Sequence, residues 1–142
     1  MAGVSAGEEV EPAARAQNTC FVCGTDNPRG LHIRFQKTGD GVVEAQWRPP
    51  SEVEGYQGIV HGGVVAAVLD EAMSKAVAAT GSPALTAHLE VRYRRPVPGG
   101  AQYRIEGEVA RRDLRRLHVR GALVDAEGNA FAESKACFVR KV

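Results

Sequence analysis

The stretch GIVHGGVVAAVLDEAM, residues 58–73, sets His61, Gly62 and Gly63 before an apolar run and then interrupts that run with Asp70 and Glu71. Glycines at a helix start let a substrate approach the backbone, and the unpaired first-turn amides at the positive helix end favour developing negative charge. The amides of Gly62 and Gly63 are therefore candidate oxyanion donors, each worth on the order of 3 kcal/mol to a transition state. His61 is a candidate for orienting the loop or hydrogen-bonding a leaving group. One helical turn from Asp70 stand Ala66, Ala67, Met73 and Ser74, so nothing local neutralises its charge. A carboxylate in such surroundings is a candidate base or nucleophile. Glu71 has Lys75 four residues on and reads as a surface ion pair. Taken singly, His-Gly-Gly also reads as a structural turn and Asp70 as a solvent-facing acid; their combination points to acyl chemistry. Eight residues separate Gly62 from Asp70, roughly 12 Å along one helix, so both cannot touch one carbonyl carbon. Two antiparallel helices from two subunits can bring the start of one beside the middle of the other, creating the site twice.

The elements that must position these residues follow from periodicity. From Gly63 to about Thr80 the chain is Ala-rich, lacks interior Gly and Pro, and stops at Gly-Ser-Pro, which predicts a helix. Its apolar residues occupy nearly the whole circumference, which predicts burial on most sides. Ahead of it, Leu31, Ile33 and Phe35, then Val43, Ala45 and Trp47, alternate with polar residues on either side of Thr-Gly-Asp-Gly and predict a hairpin. Behind it lie four strand-like stretches, around residues 85–93, 103–109, 117–124 and 130–142, expected to form an antiparallel meander. The whole is an α+β domain with one helix against a curved antiparallel sheet. Its open sheet edges make a two-fold homodimer the economical assembly. Residues 1–18, without periodicity, are expected to be a mobile arm outside a domain spanning 19–142.

Composition narrows the function classes. Eighteen Lys and Arg against 17 Asp and Glu leave a net charge of +1, so no global field draws the chain to nucleic acid or membrane. No apolar run reaches the roughly 18 residues of a membrane span, and the first residues lack a secretory pattern, so a cytoplasmic protein is expected. Three cysteines argue for reduced thiols over a disulfide framework. Cys20 and Cys23, in CFVCG, would need two further zinc ligands, and the chain offers no second close pair. They are read as structural, with no metal expected.

The His-Gly-Gly motif, Asp nine residues after the His, LTAHLEVRYRRPVPGG and the opening CFVCGTDNPRGLHIRF together resemble the hotdog-fold acyl-CoA thioesterases of the phenylacetate-degradation (PaaI-like) branch, over about residues 20–142. The resemblance implies a sheet wrapped around one long helix, dimers that join their sheets and often pair into tetramers, and hydrolysis of an acyl-CoA without a cofactor. It carries over Asp70 as base or nucleophile, Gly62 as the amide on the thioester carbonyl, His61 as a helper near the thiolate, and Thr86 as the residue positioning water. Some relatives have an Asn six residues before the His; here Gly55 stands there, and Gln57 is the nearest amide side chain. Gly63, Gln57 and the arginines Arg92, Arg94 and Arg95 are candidate substrate contacts, since guanidinium groups suit the phosphates of coenzyme A. The same arginines also read as a solvated basic surface. A non-catalytic acyl-CoA-binding module on this fold is the alternative function. A dehydratase would need an acid and base pair that the sequence does not offer.

Overall fold

The computed structural model describes residues 8–10 and 18–140. Helix α1 (Gly62–Ala78) lies across an antiparallel sheet of β1 (Glu8–Glu9), β2 (Gln36–Gly39), β3 (Val42–Trp47), β4 (Ala84–Tyr93), β5 (Tyr103–Arg112), β6 (Arg116–Val124) and β7 (Ala130–Arg140). The strand order is β1-β2-β3-β5-β6-β7-β4. The expected meander is present in β5, β6 and β7. β4 leaves it and pairs with β7 at the far edge, so the chain crosses the sheet between β4 and β5. No helix among the described residues is long and apolar enough to cross a membrane.

The helix begins one residue before the expected start and ends two before Thr80, where the Ala79 N–H bonds Lys75 O and Gly81 takes a left-handed φ of 98°. Glycine adopts that conformation without the Cβ clash other residues suffer. Val65, Val68, Leu69, Ala72, Met73, Ala76 and Val77 are buried, one stripe at helical spacing pressed on the sheet. Full burial of Leu69 and Met73 stabilises the fold by roughly 1.5–3 kcal/mol each. Burial on most sides is not what a single chain provides: Val64 and Ala67 are only partly covered, because the sheet meets one flank alone. Close approach depends on Gly107 of β5, where a Cβ would collide with the Ala72 carbonyl.

Three further expectations are corrected. Leu31 to Phe35 are not a strand paired with β3; the N–H groups of Leu31 and Ile33 bond Phe21 O and Val22 O instead, although Ile33 and Phe35 are buried as their alternation requires. Within the expected arm, Glu8 and Glu9 form a short edge strand opposite Lys37 and Gln36; residues 1–7 and 11–17 lie outside the described residues. Finally, the strand expected at 85–93 within the meander stands instead at the sheet edge as β4, with Leu85, Leu89 and Tyr93 71%, 37% and 49% exposed. It is an edge strand with one neighbour, and among the described residues nothing covers its inner face beyond α1.

Candidate active site

His61 caps α1. Its Nδ1 accepts the Gly63 N–H at 2.8 Å, and its carbonyl accepts Val64 and Val65 N–H at 3.0 and 3.1 Å. The cap requires a lone pair on Nδ1, so the neutral ring carries its proton on Nε2 and offers that N–H outward. Gly63 therefore has its amide committed to His61. The Gly62 N–H has no acceptor among the described residues, and it is the free donor of the pair. The Tyr93 hydroxyl donates to Gly62 O at 2.6 Å and fixes this peptide from the β4 side; burial pushes the phenol up, which keeps it a donor. Around this peptide lies a cavity of about 680 Å³ lined by Tyr56, Ile59, His61, Gly62, Tyr93 and Val97, among others, more apolar than polar in character.

Asp70 stands two turns further on the same helix, half-buried, and its Oδ1 accepts the Thr86 hydroxyl at 2.8 Å. No cation among the described residues lies within ion-pair distance of it. Strict alternation puts Thr86 on the opposite face from Leu89, Val91 and Tyr93. A β-bulge between Thr86 and His88 inserts one residue against Cys137 and turns Thr86 inward to meet the helix. β4 thus meets α1 at two points, with Thr86 on Asp70 and Tyr93 on Gly62.

The other expected contacts are dispersed. Gln57 is exposed in the turn before Gly58, with no hydrogen bond among the described residues. Gly55 packs under His61: a Cβ there would lie 3.3 Å from His61 Cα, so this loop has little room for a side chain such as Asn. Arg95 borders the cavity at Gly62 with its guanidinium 5.0 Å from the Phe131 ring centroid. Arg94 borders it too but is held by Glu133 at 2.7 Å. Arg92 belongs to a charged groove of about 500 Å³ shared with Glu90, Glu106, Glu108 and Lys135, on the sheet face away from α1. Glu71 pairs with Lys75 as expected, but in the interior and not at the surface. Lys75 is buried at 5% exposure, its Nζ lies 4.0 Å from Glu71 Oε2, and Cys23 Sγ bonds the same carboxylate oxygen. Tyr93 is a residue at this peptide that the sequence analysis does not single out; a hydroxyl on the same strand face as Leu89 and Val91 is the signal by which it could be found.

The fold agrees with the comparisons. The model of the thioesterase superfamily matches residues 57–132, and the chain belongs to that family, with the hotdog fold and the classification of a thioesterase-type hydrolase. A thioesterase superfamily protein of known crystal structure is 27% identical with a TM-score of 0.83, covering 91% of this chain and 72% of its own. A phenylacetic acid degradation-related protein from Ralstonia eutropha JMP134 is 26% identical, TM-score 0.69, over 77% of this chain and 86% of its own. A Streptococcus pneumoniae TIGR4 protein crystallised with coenzyme A is 17% identical, TM-score 0.73, over 77% and 88%. Structures of the pneumococcal protein with an Asp→Ala and with a Thr→Ala substitution share the fold, and the two substituted positions lie sixteen residues apart. No curated protein matches the chain in sequence.

Proposed function

We propose that this chain is an acyl-CoA thioesterase whose active sites form across a two-fold dimer. Asp70 of one subunit activates water, or attacks directly, while the Gly62 N–H of the partner subunit polarises the thioester carbonyl and holds the oxyanion. Thr86 orients the Asp70 carboxylate and the water beside it. His61, with its proton on Nε2, faces the departing sulfur, and the free thiol leaves as coenzyme A. Arg95, and Arg94 once released from Glu133, are the phosphate contacts. The observation that carries this reading is the Thr86–Asp70 hydrogen bond on a carboxylate with no cationic partner among the described residues. Two features support it. The sixteen-residue separation of Asp70 and Thr86 equals that of the Asp and Thr substituted in the pneumococcal protein, and coenzyme A is the ligand of that relative.

Thiol release from a panel of aromatic, short and medium acyl-CoA substrates tests the proposal. Hydrolysis is expected, and Asp70→Asn is expected to abolish it in a protein that still folds and self-associates. Near-normal turnover by that variant removes Asp70 from the reaction. Gly55, in place of the Asn of some relatives, favours the second reading of a non-catalytic acyl-CoA-binding module. Tight acyl-CoA binding without thiol release by the wild-type protein would establish that reading in place of catalysis.

A further inference from the structure

The thioesterase reading leaves CFVCG unused, yet the fold brings this segment against α1. Residues 20–24 curl so that the Cys23 N–H donates to Cys20 Sγ at 3.4 Å and the Gly24 N–H to Cys20 O at 2.9 Å. A Cβ at Gly24 would collide with the backbone of Asn18 and Cys20, so the turn admits only glycine there. The curl puts both sulfurs on the side facing the helix, where Cys23 Sγ lies 3.2 Å from Glu71 Oε2. All three donor atoms, two sulfurs and one carboxylate oxygen, fall within 4.8 Å of one another. Donors around a tetrahedral zinc ion sit roughly 3.5 Å apart, given Zn–S near 2.3 Å and Zn–O near 2.0 Å, so a small contraction closes the cluster on an ion.

Charge and space fit the same reading. Two thiolates and a carboxylate carry three negative charges, a divalent cation reduces them to one, and the buried ammonium of Lys75 balances that one. Lys75 is fixed by its bond to Val10 O at 3.0 Å and lies 4.0 Å from Glu71. Buried charges persist when they are paired in this way. A cavity of about 160 Å³ lined by Asn18, Cys23, Thr25 and Lys75, among others, adjoins the cluster and accommodates a water as fourth donor. In the absence of an ion a proton meets the same contacts, the Cys23 S–H donating to the Glu71 carboxylate at 3.2 Å.

We propose that Cys20, Cys23 and Glu71 bind a divalent cation of zinc's class, through three protein donors and one water, and so tie residues 18–24 to the middle of α1. As the two sulfur–metal bonds form, two thiol protons pass to solvent; the carboxylate enters as the anion and no electrons change hands. Sequence spacing did not reveal the third donor, because Glu71 lies 48 residues from Cys23. The site is separate from the reaction centre: Glu71 meets Cys23, whereas Asp70, its neighbour in the chain, meets Thr86 on β4.

The test uses the full chain, reduced and stripped with a chelator, then titrated with Co²⁺ alone and with Zn²⁺ alone. One ion per chain is expected, with an intense near-ultraviolet sulfur-to-cobalt charge-transfer band and a rise in Tm on adding Zn²⁺. Cys137→Ser should leave all three intact, and C20S/C23S should abolish the band. Glu71→Gln should weaken affinity at least about tenfold, with helical circular dichroism confirming that the variant folds. Absence of a bound ion in the reduced wild-type protein at micromolar Zn²⁺ would overturn the proposal whether or not any variant folds. So would a charge-transfer band that survives in C20S/C23S, or an E71Q protein with wild-type affinity.

Discussion

Gly62 presents a donor that can be deleted while the helix is kept. Proline is favoured at the first helical position, and His61, at φ −59° and ψ 132°, already has the conformation that a residue before proline adopts. Gly62→Pro is therefore expected to fold with unchanged helical circular dichroism and to lose about 10²–10³ in kcat through the missing N–H. Gly62→Ala keeps the N–H and brings its Cβ no nearer than 3.6 Å to the Tyr93 hydroxyl, so it should turn over near the wild-type rate. A Gly62→Pro protein within tenfold of wild type would place the oxyanion elsewhere. Thr86→Val preserves shape and removes the bond to Asp70; kcat is expected to fall about ten- to hundredfold in single-turnover assays, with stability little changed. At this scale the sequence was most legible where the chemistry is local. A glycine pair at a helix start and a carboxylate without a local partner are visible in one dimension. Which of the two glycine amides is free was not legible from the local residues, though the family resemblance implied Gly62, because the answer lies in the rotamer of His61, whose Nδ1 takes the Gly63 N–H.

Among the elements, β4 departs furthest from its sequence pattern. Alternation correctly places Leu89, Val91 and Tyr93 on one face, but the bulge at Thr86 to His88 is set by pairing with Phe138 and Cys137 of β7, 52 and 49 residues away in sequence, and it alone turns Thr86 to the helix. The apolar character of α1 was likewise legible, while its one-sided burial follows from the sheet and its closeness to the sheet depends on Gly107 beneath Ala72. Gly107→Ala forces helix and sheet apart and is expected to destabilise the domain by about 1–3 kcal/mol in urea unfolding, with m unchanged. The β6–β7 turn gives a pH-dependent counterpart. Asp125 accepts the N–H groups of Asn129 and Glu127, and the Asn129 backbone bond foremost holds its carboxyl below the ordinary 3.8. Because the folded state binds that proton less readily than the unfolded one, the turn's stabilisation is full above pH 4 and is lost as pH falls below 3.8 through the folded value. Asp125→Asn should flatten that part of a Tm-against-pH curve and leave the neutral-to-alkaline part parallel to wild type.

For the whole molecule, the half-covered flank of α1 and the exposed Leu89 and Tyr93 of edge strand β4 lie on the surface that carries Asp70, Thr86 and Gly62. Pairing of two copies there would cover the apolar groups and bring each Gly62 to the other chain's Asp70. Mixing and refolding equal amounts of Asp70→Asn and Gly62→Pro proteins tests this directly. Sites built across the two-fold leave one intact site in each mixed dimer, and activity should recover to about a quarter of wild type. Sites contained in one chain leave none, and the mixture would stay inactive. By itself the sequence determined the helix and the strand count behind it and marked the candidate residue types, because periodicity, capping and local charge are fixed by neighbours a few positions apart. Only the tertiary structure decided that β4 sits at the sheet edge beside β7, that Thr86 faces Asp70, and that Glu71 joins Cys23 and Lys75 in the interior. Those outcomes depend on strand pairing and packing between segments dozens of residues apart, where competing long-range contacts select the partner and local pattern carries no record of the choice.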